Sequence, residues 1–520
     1  MLNEERVLAC FPYDSYRKFQ KEVTHQTIEA FDRGINHVVI NAPVGFGKSG
    51  TAITVSKYYG SSYIGTTQKS LQKQYCGDFD LPEFYGKTNY TCLKDPSLKC
   101  DNPSCQGEKK EGCDGMGGCP YHNAKRECLD ADISVMNYAL LFSMAAFAGN
   151  IDQRPIAVYD ECHNLEDVLT DFVGIMISNQ SFKRFNIPMI PLPEPGSTTM
   201  IVVKWLDKTL IPHVTDQLTM VENALQQVGL GKRDKKDFAR QYSFLDNFIK
   251  KTHFMLTFIG NGGKICTQVE DDTITMKPLM IDFMAKEFLE AISERVLHIS
   301  ATVQSKELYC KCMGLDPNEV EYIQVGSVFP PENRPVVFAP VGSMAFAKKA
   351  ETLPRMAIVV DRLLNERHAD TRGIIHTGTY EVANYMMDNC KYAHRFILPK
   401  GKDRERMMQE FFESDRDDLV LLSPSLMEGV DLKGDLAEFS IICKVPFASL
   451  GDSWIKQKMD FIVGWYEEKT INKLVQSTGR HVRSETEEGI TYILDDTFKW
   501  FYNRNKFRFP KWWTESLIMR

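Results

Sequence analysis

Short apolar runs, each closed by a small or charged residue, punctuate this chain in two series. The first comprises residues 37–41, 63–66, 156–159 and 296–299, with His37-Val38-Val39-Ile40 and Ile156-Ala157-Val158-Tyr159 as its clearest members. Runs of this length without polar alternation fit strands buried on both faces, and the helical stretches between them fit parallel crossovers. The second series is Gly373-Ile374-Ile375-His376-Thr377, Leu419-Val420-Leu421-Leu422, Phe439-Ser440-Ile441-Ile442 and Ile490-Thr491-Tyr492-Ile493-Leu494. Pro330, Pro331, Pro335 and Pro340 fall between the two series and mark a division. An α/β protein with two parallel-sheet units is expected. The stretch between 156–159 and 296–299 is longer than one strand and helix require, and carries amphipathic helical patches at 203–227 and 237–258. Its basic group Lys232, Arg233, Lys235 and Lys236 holds no aromatic for base stacking and is expected to be a solvated loop. The apolar stretch 133–148 contains Asn137 and is shorter than the roughly 20 residues that cross a bilayer, so a buried helix is expected there.

Chemistry enters at the ends of these runs. Ala42-Pro43-Val44-Gly45-Phe46-Gly47-Lys48-Ser49 follows the first run and precedes a helical stretch over 49–59. Strand, glycine turn and helix in that order form a phosphate cradle. Lys48 supplies a point charge for the β- and γ-phosphates, and the Ser49 hydroxyl is placed to ligate Mg²⁺. At the end of the third run, Asp160-Glu161-Cys162-His163 delivers two carboxylates. Asp160 suits Mg²⁺, and Glu161 suits a water that attacks phosphorus, because phosphoryl transfer asks mainly for positioning and charge stabilisation. Near the end of the chain, Gln476, Arg480 and Arg483 fall at i, i+4 and i+7, one face of a helix, with two guanidiniums suited to a γ-phosphate.

Together these segments resemble, over nearly the whole chain, an XPD/DinG-type DNA helicase of superfamily 2. Further segments carry the resemblance. Phe11-Pro12-Tyr13 with Arg17 and Gln20 is similar to the family's first motif. Tyr63-Ile64-Gly65-Thr66-Thr67 with Leu71-Gln72 is similar to the strand and loop that touch DNA. Ser300-Ala301-Thr302 resembles the motif coupling hydrolysis to movement, and Ser327-Val328-Phe329-Pro330 through Asn333-Arg334 the crossing between motor halves. Glu428-Gly429-Val430-Asp431 with Lys444-Val445-Pro446-Phe447 resembles the second motor's link between ATP and nucleic acid.

The resemblance implies two RecA-like motor domains. The first is formed by residues 1–85, 123–177 and 278–328, and the second by 329–520. An iron–sulfur domain at 86–122 and a mostly helical arch at 178–277 are implied as insertions. It implies catalytic roles for Lys48, Asp160, Glu161, Gln476, Arg480 and Arg483. Nucleotide contacts are implied for Arg17, Gln20, Ala42, Pro43, Gly45, Gly47, Lys48, Ser49, His163, Gly429 and Asp431, with Ser49 and Asp160 holding Mg²⁺. Coupling or DNA roles are implied for Thr67, Gln72, Ser300, Thr302 and Thr377. The implied activity is ATP-driven 5′ to 3′ travel on single-stranded DNA with unwinding of forked duplex, by a monomeric motor. The alternative is a strand-stimulated ATPase clamp, or a translocase that displaces proteins without processive unwinding. Cys162 stands where alanine is usual in the family, and Ala42 replaces the first loop glycine; neither removes a functional side chain.

Composition refines this. The net charge of −7 leaves DNA binding to a local basic channel. The start, Met-Leu-Asn-Glu-Glu-Arg, lacks the basic and then apolar pattern of an export signal. Fourteen cysteines in a chain of 520 residues indicate a reducing, cytoplasmic setting, with a nucleoid or viral-replication context compatible. Six of them crowd into Cys92, Cys100, Cys105, Cys113, Cys119 and Cys128, in a stretch too rich in Asp, Asn, Gly, Lys and Pro to build its own core. Zinc sites pair their ligands two to four residues apart, which only Cys100 and Cys105 approach. By resemblance, Asn89-Tyr90-Thr91-Cys92 and Cys119-Pro120-Tyr121 bracket a four-cysteine [4Fe–4S] site. Its middle ligands are then Cys105 and Cys113, with Cys100 as a spare and zinc as the alternative metal. Cys128 is expected to be packed core.

Overall fold

The computed structural model describes residues 2–93, 95–101, 118–148, 151–227, 231–424, 436–478 and 487–519. In chain order its first strands are β1 (His37–Asn41), β2 (Ser62–Thr66), β3 (Ile133–Asn137), β4 (Ile156–Asp160), β5 (Ile175–Ser178), β6 (Ile265–Val269), β7 (Thr273–Pro278), β8 (Val296–Ser300) and β9 (Val320–Gln324). Six of these form an all-parallel sheet in the order β3-β2-β4-β8-β1-β9. The chain continues through β10 (Val336–Gly342), β11 (Gly373–His376), β12 (Phe396–Ile397), β13 (Val420–Ser423), β14 (Phe439–Ile442), β15 (Ile490–Asp495) and β16 (Leu517–Met519). These make a second all-parallel sheet, β12-β13-β11-β14-β15-β10-β16.

All four expected runs of each series are strands. The central ones are buried at every position, as β1, β4 and β8 are, because helices cover both faces. Val38 and Ile40 enter one core and Val39 the other, the alternation of a strand buried on two sides. Within the two parallel sheets, β3, β9, β10, β12 and β16 were not marked by such runs. Of these, β9 is an edge strand that carries Glu321 and Gln324, and β12 and β16 are edge strands of two and three residues, too short to stand out.

Two local expectations are corrected. Residues 133–148 are not one helix: β3 runs to Asn137 and the helix Tyr138–Ser143 follows, continuing as a π-helical turn, Met144–Ala148. Asn137 makes the division, its backbone extended and its side-chain oxygen accepting the Leu140 N–H at 2.9 Å as an N-cap. The basic group Lys232, Arg233, Lys235 and Lys236 is not a loop but the first turn of the 29-residue helix Lys232–Gly260. That helix packs along Ile211–Leu225. Apolar residues such as Leu245, Met255 and Phe258 bury one face of it.

The inserted stretch stands on a small antiparallel sheet, β5-β7-β6. The second unit rests against this base, where the Trp454 indole N–H donates to the Pro278 carbonyl at 2.7 Å. No helix among the described residues is long and apolar enough to cross a membrane.

Candidate nucleotide site between the two sheets

The site follows from strand order. In the first sheet β4, β8 and β1 are neighbours, with Asp160 opposite Ile299 and Asn41 opposite Ser300. Parallel strands end at one edge, so the loop after β1, the carboxylates after β4 and the serine of β8 open into one crevice. The glycine loop turns there through two left-handed residues, Gly45 (φ 86°) and Gly47 (φ 91°), before the helix Lys48–Tyr58 begins. Glycine is required at both for space as well as conformation. A Cβ on Gly45 would lie 2.0 Å from the Phe329 ring, and one on Gly47 2.5 Å from the Gln20 amide. Arg17 donates to the Gly45 carbonyl and Gln20 to the Gly47 carbonyl, each at 2.8 Å. With those carbonyls held outside, the loop N–H groups are left for an anion. The Lys48 ammonium lies 3.5 Å from the Ala42 carbonyl. Ala42 and Pro43 are buried, and Ser49 opens the helix.

Asp160 is 2 % exposed, with one oxygen accepting the Glu161 N–H at 2.9 Å and the other the Tyr75 hydroxyl at 2.8 Å. Burial, then the neighbouring Glu161, push its carboxyl up to about 6, while Lys48 pulls it down. Two carboxylates beside one lysine favour an added cation, and with the Ser49 hydroxyl they fit Mg²⁺. Glu161 has φ 57°, a left-handed backbone that a non-glycine residue adopts at a cost of order 1–3 kcal/mol. The turn directs its carboxylate to His163 Nδ1 at 3.3 Å. The same ring nitrogen lies 2.8 Å from Ser300 Oγ, which is 3.4 Å from Thr302 Oγ1.

Across the crevice, the helix Trp465–Thr478 of the second unit brings Gln476 Nε2 to 2.6 Å from His163 Nε2 and 3.3 Å from Thr302 Oγ1. A carboxylate only accepts, so Nδ1 carries the proton and Nε2 accepts from the Gln476 amide. Glu161, His163, Ser300, Thr302 and Gln476 are thereby one hydrogen-bonded set spanning both units. Arg480, Arg483, Gly429 and Asp431 lie outside the described residues, as do Cys105 and Cys113. Thr67 is half-buried just beyond β2. The other two residues assigned to DNA or coupling are turned inward. Gln72 is fully buried and donates to the Phe84 and Val135 carbonyls, and Thr377 donates to the Thr379 and Ser423 carbonyls. They brace the backbone and offer no surface group.

Sequence reasoning missed a second bridge between the units. Glu166, in the first turn after the acidic motif, meets Lys458 at 2.8 Å and the Trp465 indole N–H at 3.1 Å, while Lys469 meets Asp167 at 2.8 Å. The Lys458 ammonium is fully buried between the rings of Trp454 and Trp465, 4.8 and 5.0 Å from their centroids. Against the upward push of burial, Lys458 and then Lys469 hold the Glu166 carboxyl down at about 2. The signal lay in apolar company around a lysine, which a linear reading scores as a solvated charge.

Cys100, taken above as the spare, is the one middle candidate among the described residues, and it interacts with Cys119. Its thiol is pushed up to about 12 by burial, then by the charge and hydrogen bond of Cys119, then by Cys92. Cys128 is fully buried. Among the described residues no group of three or more His, Cys, Asp or Glu is arranged to hold a metal ion.

This is the architecture of a two-lobed RecA-like protein with its nucleotide site in the cleft. A helicase C-terminal domain family model matches residues 373–516, and the DEAD_2 family model matches residues 83–182. The chain is 20% identical over 454 residues to the ATP-dependent DNA helicase YoaA of Haemophilus influenzae, covering 77% of this chain and 69% of that one. It is also 20% identical over 493 residues to the ATP-dependent DNA helicase DinG of Photobacterium profundum, with 77% and 70% covered. A solved XPD helicase superposes with a TM-score of 0.64 at 14% identity, over 98% of this chain and all (100%) of that one. Xpd4 of S. tokodaii superposes with 0.58 at 14% identity, over 97% and 100%. The chain is thus similar, over most of its length, to XPD/DinG-type DNA helicases.

The Glu166 pair has a pH signature. A carboxyl depressed from the ordinary 4.5 to about 2 contributes stability that is complete above 4.5 and lost as pH falls from there toward 2. Glu166→Gln strands a buried Lys458 and is expected to cost on the order of 3 kcal/mol at neutral pH. Urea midpoints of parent and variant should therefore lie far apart at pH 7 and converge below 4.5; a pH-independent gap contradicts the assignment.

Proposed function

We propose that this chain is an ATP-driven DNA helicase that translocates 5′ to 3′ on single-stranded DNA and opens duplex ahead of it. The observation that carries the reading is the Gln476 contact: a residue of the second lobe bonds to His163 and Thr302, beside Asp160 and Glu161. A cleft bridged in this way responds to whatever occupies it. The relatives' names as ATP-dependent DNA helicases support the choice of substrate.

In this reading the loop N–H groups and Lys48 hold the phosphates, and Glu161 orients the attacking water. Ser49 and Asp160 would hold Mg²⁺, which would neutralise charge on the phosphates. His163 passes the state of Glu161 to Gln476. Arg480 and Arg483, following Gln476, carry the γ-phosphate contact from the second lobe. Arg17 and Gln20 keep the loop shaped for nucleotide, and Gly429 and Asp431 serve the second lobe's link to DNA.

A cavity of about 1220 Å³ supports strand passage. It is walled by Lys87 and Cys100 of the cysteine segment, Arg240, Phe244 and Lys251 of the long arch helix, and Trp454 of the second lobe. Its cations and rings are groups used in sequence-tolerant single-strand binding, and the carboxylates of Asp101, Asp171, Asp246 and Asp452 also line it. Of the cysteine segment, the described residues Lys87, Thr88, Cys100 and Asp101 line the cavity. We propose Cys92 and Cys119 as the outer ligands of its cluster, with two of Cys100, Cys105 and Cys113 between them, Cys100 being supported by its interaction with Cys119. A [4Fe–4S] cluster bound there would tie together a segment that lacks its own core.

Two experiments test this. On a forked duplex with a 5′ tail, the parent should hydrolyse ATP and separate strands, and Lys48→Ala should lose roughly a hundredfold or more of both, as expected when phosphate charge is left unmatched. Equal ATP turnover rejects the site, whereas turnover without strand separation favours a clamp or protein-displacing translocase. Anaerobically purified protein should be brown and contain iron. Cys100→Ser should lose most of that iron and colour; retention of full iron content returns Cys100 to the role of spare.

A further inference from the structure

Tyr75 is a buried side chain at the nucleotide site that the reading above leaves unused. It lies on the helix Lys69–Phe79, is 1 % exposed, and its hydroxyl donates to Asp160 Oδ2 at 2.8 Å. Burying a phenol oxygen costs free energy unless it is paired, and phenylalanine would fill the same space without that cost. The hydroxyl's effect is therefore on Asp160, the carboxylate assigned to the cation.

We propose that Tyr75 is a positioning residue of the nucleotide's divalent-cation site, holding the Asp160 carboxylate in the orientation that receives Mg²⁺. This rests on the ATP-site reading above. With Oδ1 fixed by the Glu161 N–H and Oδ2 by Tyr75, the carboxylate plane cannot turn, and each oxygen keeps a lone pair for a cation or its water. The ring is itself held in place. It packs against Phe79 at 5.9 Å between centroids, and Phe79 packs against Tyr13 at 6.0 Å. Tyr13 in turn lies under the helix carrying Ser49, where a Cβ on Gly50 would come within 2.9 Å of its ring. The first motif, the helix Lys69–Phe79 and the cation site form one packed unit, with the Tyr75 hydroxyl as its polar end.

The test is fluorescent-ATP binding by the full chain without DNA, titrated with Mg²⁺ and repeated in EDTA. Tyr75→Phe should raise the Mg²⁺ concentration for half-maximal binding about tenfold, the size typical of losing a group that orients a metal ligand. Affinity in EDTA should stay within about twofold, since the phosphate loop is untouched. A structural tyrosine would instead shift the thermal midpoint and leave the Mg²⁺ requirement alone, and that result overturns the proposal. Should Tyr75→Phe not fold, fluorotyrosine at position 75 keeps the packing and changes only the donor strength; an unaltered Mg²⁺ requirement overturns the proposal there too. A parent that binds no Mg²⁺-ATP, or a Lys48→Ala variant that binds it equally well, rejects the site and this inference with it. Parent binding with an unchanged Tyr75→Phe rejects Tyr75 alone.

Discussion

Three parallel strands ending side by side are the constraint on which this molecule depends. Because β4, β8 and β1 are hydrogen-bonded neighbours, Asp160, Ser300 and the loop that follows Asn41 are delivered to one edge with no further arrangement. Strands of this kind must be apolar on both faces, so the pattern that builds the core also aims the chemistry. The strained Glu161 turn adds the last piece, rotating a carboxylate back toward His163.

The second lobe is joined to that edge by two different kinds of contact. Gln476 reaches His163 and Thr302 through neutral hydrogen bonds beside the phosphate site, contacts of about 1 kcal/mol that exchange readily. Glu166 and Lys458 are a buried ion pair among tryptophans, costly to separate once formed. A weak contact at the nucleotide and a strong one beside it suit a pair of lobes that stay together while the cleft between them changes.

Legibility in the sequence followed burial. Strands covered on both faces, such as β1 and β4, were readable because every position is buried and the interior ones are apolar; short edge strands such as β16, three residues long, were not. Loop chemistry was readable where one residue type alone will serve, as at Gly45, Gly47 and Lys48. What failed needed three dimensions. Asn137 reads as a polar interruption of an apolar stretch but acts as a cap. Gln72 was assigned to DNA by resemblance but is buried and braces two backbone carbonyls. Tyr75 and Lys458 carry no motif at all, because their partners come from other elements.

The most direct test of the two-lobe engine is the ATP turnover of Gln476→Ala with and without single-stranded DNA, beside its nucleotide affinity. The account predicts affinity within about twofold of the parent, and strand-stimulated turnover lowered about tenfold or more, the pattern of an interaction used in the transition state. Full strand-stimulated turnover in the variant would contradict it.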